Sequence, residues 1–133
     1  MSLIGEANSP ARLLNYVMVG KDKTILTDYS PDSGNFVEFV NKIIGYLKRG
    51  RYILTFKENE IIYIKEKDDE GLFFLLIASE DVKKLEAFAC LETVRKEFVD
   101  SFDISEIENM KPLSLNKEFS GILERLYVRD DSQ

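Results

Sequence analysis

The chain predicts an α+β fold: a five-stranded, mainly antiparallel sheet with one helix on one face and two on the other. Three observations carry this. Leu72-Phe73-Phe74-Leu75-Leu76-Ile77-Ala78 is an unbroken apolar run of strand length, and a strand apolar on both faces has to be covered above and below. Two stretches with apolar residues at helical spacing, 35–47 and the one that begins near Val82, are available as the covers. Short polar turns join consecutive strand-like segments, which makes those pairs antiparallel.

In chain order, residues 1–12 read as a flexible leader containing Gly5, Asn8, Ser9 and Pro10, and residues 13–128 as one folded domain followed by a short tail, 129–133. Leu13 to Val19 predicts a first strand and Thr24 to Tyr29 a second, with Gly20-Lys21-Asp22-Lys23 turning between them. Ser30-Pro31-Asp32-Ser33-Gly34 breaks the chain, and Asn35 is placed to cap a helix running to Leu47. On that helix Phe36, Phe39, Val40, Ile43, Ile44 and Leu47 share one side, and Gly50 stops it. Tyr52 to Lys57 alternates, with Tyr52, Leu54 and Phe56 on one face and Ile53 and Thr55 on the other. Ile61 to Ile64 is a fourth strand and the apolar run from Leu72 a fifth. The long helix that follows carries Leu85, Ala87, Phe88, Leu91, Val94, Phe98, Val99 and Phe102 in one broad arc. Asp103 to Ser114 is a loop with room for a helical turn, and Asn116 is placed to cap a last helix bearing Phe119, Ile122, Leu123, Leu126 and Tyr127.

Composition narrows the chemistry. At 133 residues with 44% hydrophobic and 32% charged residues, the chain has enough material for one core and is not of the disordered class. Its net charge of −6, with no basic cluster longer than Lys48-Arg49-Gly50-Arg51, argues against nucleic acid as a partner. A single cysteine, Cys90, rules out intrachain disulfides and suits a reducing compartment. No apolar run reaches the roughly 20 residues that cross a bilayer.

The absence of histidine removes the commonest general base and zinc ligand together. Cys90 falls mid-helix in a covered pattern, the place of a structural thiol rather than a nucleophile. No phosphate-binding glycine loop or nucleophile elbow occurs. Asp68-Asp69-Glu70 lacks the ligand schedule of a calcium loop and reads, like Glu58-Asn59-Glu60, as a solvated hairpin tip. The expectation is a non-enzyme with no catalytic residues, no metal and no cofactor.

Surfaces then become the candidates. The third strand is expected at a sheet edge, with Tyr52, Leu54 and Phe56 beside the apolar stripe of the first helix. An exposed strand edge beside an apolar helix makes a groove suited to a peptide. The alternative is that the three side chains only complete the core; a shallow groove with one open rim is compatible with both.

Several stretches in this order resemble one family. Thr24-Ile25-Leu26, Gly34-Asn35-Phe36 opening the first helix and Leu54-Thr55-Phe56 in the third strand resemble the longin domain of R-SNAREs, the long-form synaptobrevins. Ala87-Phe88-Ala89-Cys90-Leu91-Glu92 with Val94 and Phe98 is similar to that family's A-F-x-F-L-x-x-[IV]-x-x-x-F helix, although Cys90 stands where an aromatic is common. Asn116-Lys117-Glu118-Phe119-Ser120 with Leu123 is similar to its N-x-E-F-S-x-x-L segment. The match runs from about Leu13 to Tyr127, and the leader before it is longer than the family usually has.

The resemblance implies a profilin-like fold and a regulatory rather than catalytic role, on the cytoplasmic face of endomembrane vesicles. Such domains bind their own SNARE helix in cis, or coat, adaptor and tethering proteins in trans. It implies a partner groove at Leu54 and Phe56, matched by motif, with Tyr52 on the same strand face and Phe36, Val40, Ile43, Ile44 and Leu47 by helical position. The isolated domain is expected to be monomeric, with membrane attachment only through an anchor beyond Gln133. Small subunits of vesicle-tethering and adaptor complexes share the fold, so a free-standing scaffold subunit is the competing expectation.

Overall fold

A computed structural model of the chain describes residues 14–31, 36–47, 50–57, 59–65, 71–107 and 109–129. The expected leader, 1–12, and the end of the tail lie outside them, as does Asn35, the expected cap of the first helix. The elements are β1 (Leu14–Lys21), β2 (Thr24–Tyr29), α1 (Phe36–Ile44), β3 (Tyr52–Lys57), β4 (Glu60–Lys65), β5 (Leu72–Ser79), α2 (Lys84–Ser101), a 3-10 turn (Ile104–Ile107) and α3 (Asn116–Arg129). The five strands form one sheet in the order β2-β1-β5-β4-β3, and every neighbouring pair is antiparallel.

The apolar run is the centre of this sheet, and its alternation divides the core in two. Phe73, Leu75 and Ile77 join Met18, Ile25, Ile62 and Ile64 beneath Val40 and Ile44 of α1. Leu72, Phe74, Leu76 and Ala78 join Val17, Val19 and Leu26 against α2 and α3. The α2–α3 layer is closed by aromatic edges: Phe98 lies 5.2 Å from Phe119 and 6.4 Å from Phe74, centroid to centroid.

The stripe on α2 is narrower than the sequence suggested. Ala87, Leu91, Val94 and Phe98 are buried, but Leu85 is 82% exposed and Val99 is exposed as well. At about 100° per residue, Leu85 falls on the side of the helix opposite Val94, so one arc cannot contain both. The first turn of α2 begins where Glu86 accepts a hydrogen bond from the backbone N–H of Lys83 at 3.2 Å. α1 is shorter than expected: it ends at Ile44, and Tyr46 and Leu47 follow in a turn held by hydrogen bonds to the carbonyls of Ile43 and Ile44.

The two sheet edges differ. Along β2, the backbone N–H groups of Leu113 and Leu115 donate to the carbonyls of Ile25 (2.7 Å) and Leu26 (3.0 Å), so the approach to α3 covers that edge. On the far side, β3 has β4 as its one sheet neighbour among the described residues.

Candidate docking groove

The wall on the helix side is aromatic. Phe36 opens α1, stacks on Tyr16 of β1 at 5.0 Å and lies 5.9 Å from Phe56 of β3. Phe39, one turn on, meets Phe56 edge-on at 4.6 Å. The tilted and edge-on arrangements suit the ring quadrupoles and fix α1 over the outer end of the sheet. Register places Tyr52 opposite Ile64 and Leu54 opposite Ile62, so these β3 side chains share the face that α1 covers. The cover is incomplete: Leu54 retains 37% of its exposure, on the outermost strand of the sheet.

The residues expected to line a groove therefore fall into three depths. Val40, Ile44 and Leu47 are buried and form core beneath the helix. Phe36, Ile43, Tyr52 and Phe56 are half-buried against that core. Leu54 is the exposed member. Phe39, outside the expected set, lies on the same helical stripe and touches Phe56 more closely than Phe36 does. Tyr46 projects from the turn after α1 with 83% exposure, a position that helical spacing could not reach because the helix has already ended.

Beneath Phe36 runs a polar connection. The Tyr16 hydroxyl donates to Asp28 Oδ2 at 2.9 Å. Burial, and then the neighbouring Asp28 carboxylate, push the Tyr16 hydroxyl well above the usual tyrosine range, so it stays protonated and acts as the donor. Asn116 accepts from Thr27 Oγ1 and from the Asp28 backbone N–H, both at 2.8 Å. Its side chain thus bridges to β2 instead of capping its own helix.

The opposite flank of β3 is also partly apolar. Ile53, paired with Tyr63, points to the α2 face and is 48% exposed. Arg51 lies over the ring of Phe88 at 5.3 Å, and that ring meets Tyr63 edge-on at 5.6 Å. Nearby, Glu92 takes three hydrogen bonds from Arg95, the shortest 2.6 Å, and an ion pair from Lys65 at 3.2 Å. Hydrogen bonding to Arg95 outweighs the opposing effect of burial and, joined by Lys65, holds the Glu92 carboxyl down to about 2. Cys90 is half-buried against the α2–α3 core. Among the described residues no three His, Cys, Asp or Glu side chains gather as metal ligands, and no helix is long and apolar enough to cross a membrane.

The family model for "Longin: Regulated-SNARE-like domain" matches residues 26–123, most of the chain. The chain belongs to the longin family. The five-stranded antiparallel sheet with three helices is the longin, profilin-like α+β architecture. This longin domain is similar to "Vesicle-associated membrane protein 7" from Mus musculus, at 26% identity over 108 residues, or 81% of the chain and 48% of the relative. The proteins of that name from Gallus gallus and Homo sapiens are each 25% identical over the same lengths. The chain thus spans about half the length of these curated relatives.

Proposed function

We propose that this longin domain is the regulatory N-terminal domain of a vesicle SNARE in membrane trafficking. The groove between α1 and β3 receives the protein's own SNARE helix in cis, or a coat, adaptor or tethering protein in trans. The domain works by occupancy, with no catalytic step, at the cytoplasmic face of endomembrane vesicles. The observation that carries this reading is Leu54: an aliphatic side chain on the outer strand, 37% exposed, beside the half-buried aromatic wall of Phe36 and Phe56. The membership in the regulated-SNARE-like family and the similarity to vesicle-associated membrane proteins support the trafficking role.

A weak groove suffices for such regulation. A SNARE helix tethered by a short flexible linker is present at an effective concentration on the order of 1 mM, so a site of about 100 μM affinity would be roughly 90% closed. That restraint is worth about 1.4 kcal/mol, which a trans partner of modest affinity can overcome. Fluorescence anisotropy with a labelled R-SNARE helix tests the reading. Saturable binding by the native domain, lost in Leu54→Ser with the fold preserved, supports it; equal binding by both proteins contradicts the assigned site.

A second reading is favoured by Ile53 and Leu85, exposed on the α2 side of the molecule. They suit a free-standing subunit that buries an apolar flank in a tethering or adaptor complex. Sedimentation of the isolated chain separates the two: a SNARE regulatory domain is expected to be a monomer at micromolar concentration, and an orphaned scaffold subunit to self-associate.

A further inference from the structure

The two cores lie on opposite faces of the sheet, and a polar path round the covered β2 edge joins them. It begins at Asn116, the first residue of α3, whose side chain holds Thr27 and Asp28. The Asn116 amide also donates to Asp28 Oδ1 at 3.4 Å, while Asp28 Oδ2 accepts from Tyr16 on the other face at 2.9 Å. The Tyr16 ring in turn stacks on Phe36, with 24° between the ring planes. Thr27 is fully buried and Tyr16 nearly so, which leaves both hydroxyls little room to find other partners.

We infer that Asn116, Asp28 and Tyr16 form a strut through which the seating of α3 positions Phe36, and with it the head of α1. Asp28 is a positioning residue in this device: it acts on Phe36 through the Tyr16 ring. The path gives the end of the domain a physical connection to the wall of the proposed groove. Coupling of this kind is reciprocal, so whatever loosens the start of α3 loosens the head of α1, and whatever displaces Phe36 weakens the hold on α3. The relevance to partner binding rests on the groove reading; the strut itself does not.

Hydrogen exchange on the free domain tests it without any partner. Asn116→Ala removes the α3 end of the strut and Tyr16→Phe removes its last hydrogen bond while keeping the stacked ring. Each is expected to raise amide exchange at residues 40–44 about five-fold more than in β5, the change that follows from losing one hydrogen bond's net contribution. Ile122→Ala, which trims α3 where it packs on the core away from the strut, is expected to change α1 and β5 in proportion. If Asn116→Ala does not fold, Asn116→Ser is read at the same amides. A selective rise in α1 for the Asn116 and Tyr16 variants alone supports the strut. Exchange in α1 that tracks β5 in every variant overturns it, and neither result depends on whether a SNARE helix binds.

Discussion

Gly20 shows how little freedom a single position has here. A Cβ built on it would sit 2.5 Å from the ring of Phe73, which is fully buried in the core. Gly20→Ala is therefore expected to lower stability by about 1–3 kcal/mol, the range for forcing extra volume into a packed interior, in urea unfolding. Glu92 offers the opposite kind of test. Its folded pKa is depressed to about 2, so its contribution is present above the ordinary carboxylate range and is lost as pH falls towards 2. Side chains more than a third exposed reduce that contribution through solvent screening to on the order of a few tenths of a kcal/mol. Glu92→Gln is expected to be slightly less stable than the native domain at pH 7, with the difference vanishing as both are titrated towards pH 2. A difference that persists unchanged at pH 2 would contradict the assignment to the Arg95 and Lys65 partners.

At the scale of elements, strands were the most legible part of the sequence. Alternation set Tyr52–Lys57, the turn at Gly20-Lys21-Asp22-Lys23 marked the return strand Thr24–Tyr29, and the continuous apolar run marked the central strand. Helices were legible as helices but less so in extent and facing. Spacing alone extended α1 through Leu47, whereas the chain turns after Ile44 and still buries Leu47 from that turn. It also placed Leu85 with the core, where the helix has no sheet to meet it. The proposed groove was legible in outline only. Wheel position could gather Phe36, Val40, Ile43, Ile44 and Leu47 on one stripe, but which of them stay reachable depends on how far α1 overhangs β3. The Asn116–Thr27 contact, 89 residues apart in sequence, left no local signal at all.

That division by depth changes how the groove is to be probed. Phe56 is held between Phe36 and Phe39, so Phe56→Ser is expected to cost about 1–3 kcal/mol, less than the truncation of a fully buried aromatic. Leu54→Ser is expected to cost less than about 1 kcal/mol, since the side chain is already part exposed. Chemical denaturation of the two single variants checks this order. A reversed order would place Leu54 in the core and remove the proposed site with it.

For the whole molecule, the asymmetry of the sheet is the organising fact. One edge is covered by the segment leading into α3, and the other ends in β3 with aliphatic side chains exposed on both faces, Leu54 towards α1 and Ile53 towards α2. A strand at the end of a sheet invites pairing between copies unless it is short, twisted or charged. At six residues β3 is short, and the isolated domain is expected to sediment as a monomer. The covered edge carries the proposed strut and the β3 edge the proposed groove, so on this reading the two ends of one sheet serve sensing and docking respectively.

The most direct test of the docking claim is a methyl-resolved NMR titration of the native domain with an R-SNARE helix. Saturable shifts are expected centred on Leu54 and Ile43, with smaller ones at Ile62 and none at Leu123 across the sheet. Shifts centred instead on Ile53 and Leu85, with Leu54 and Ile43 unmoved at saturation, would contradict the docking claim.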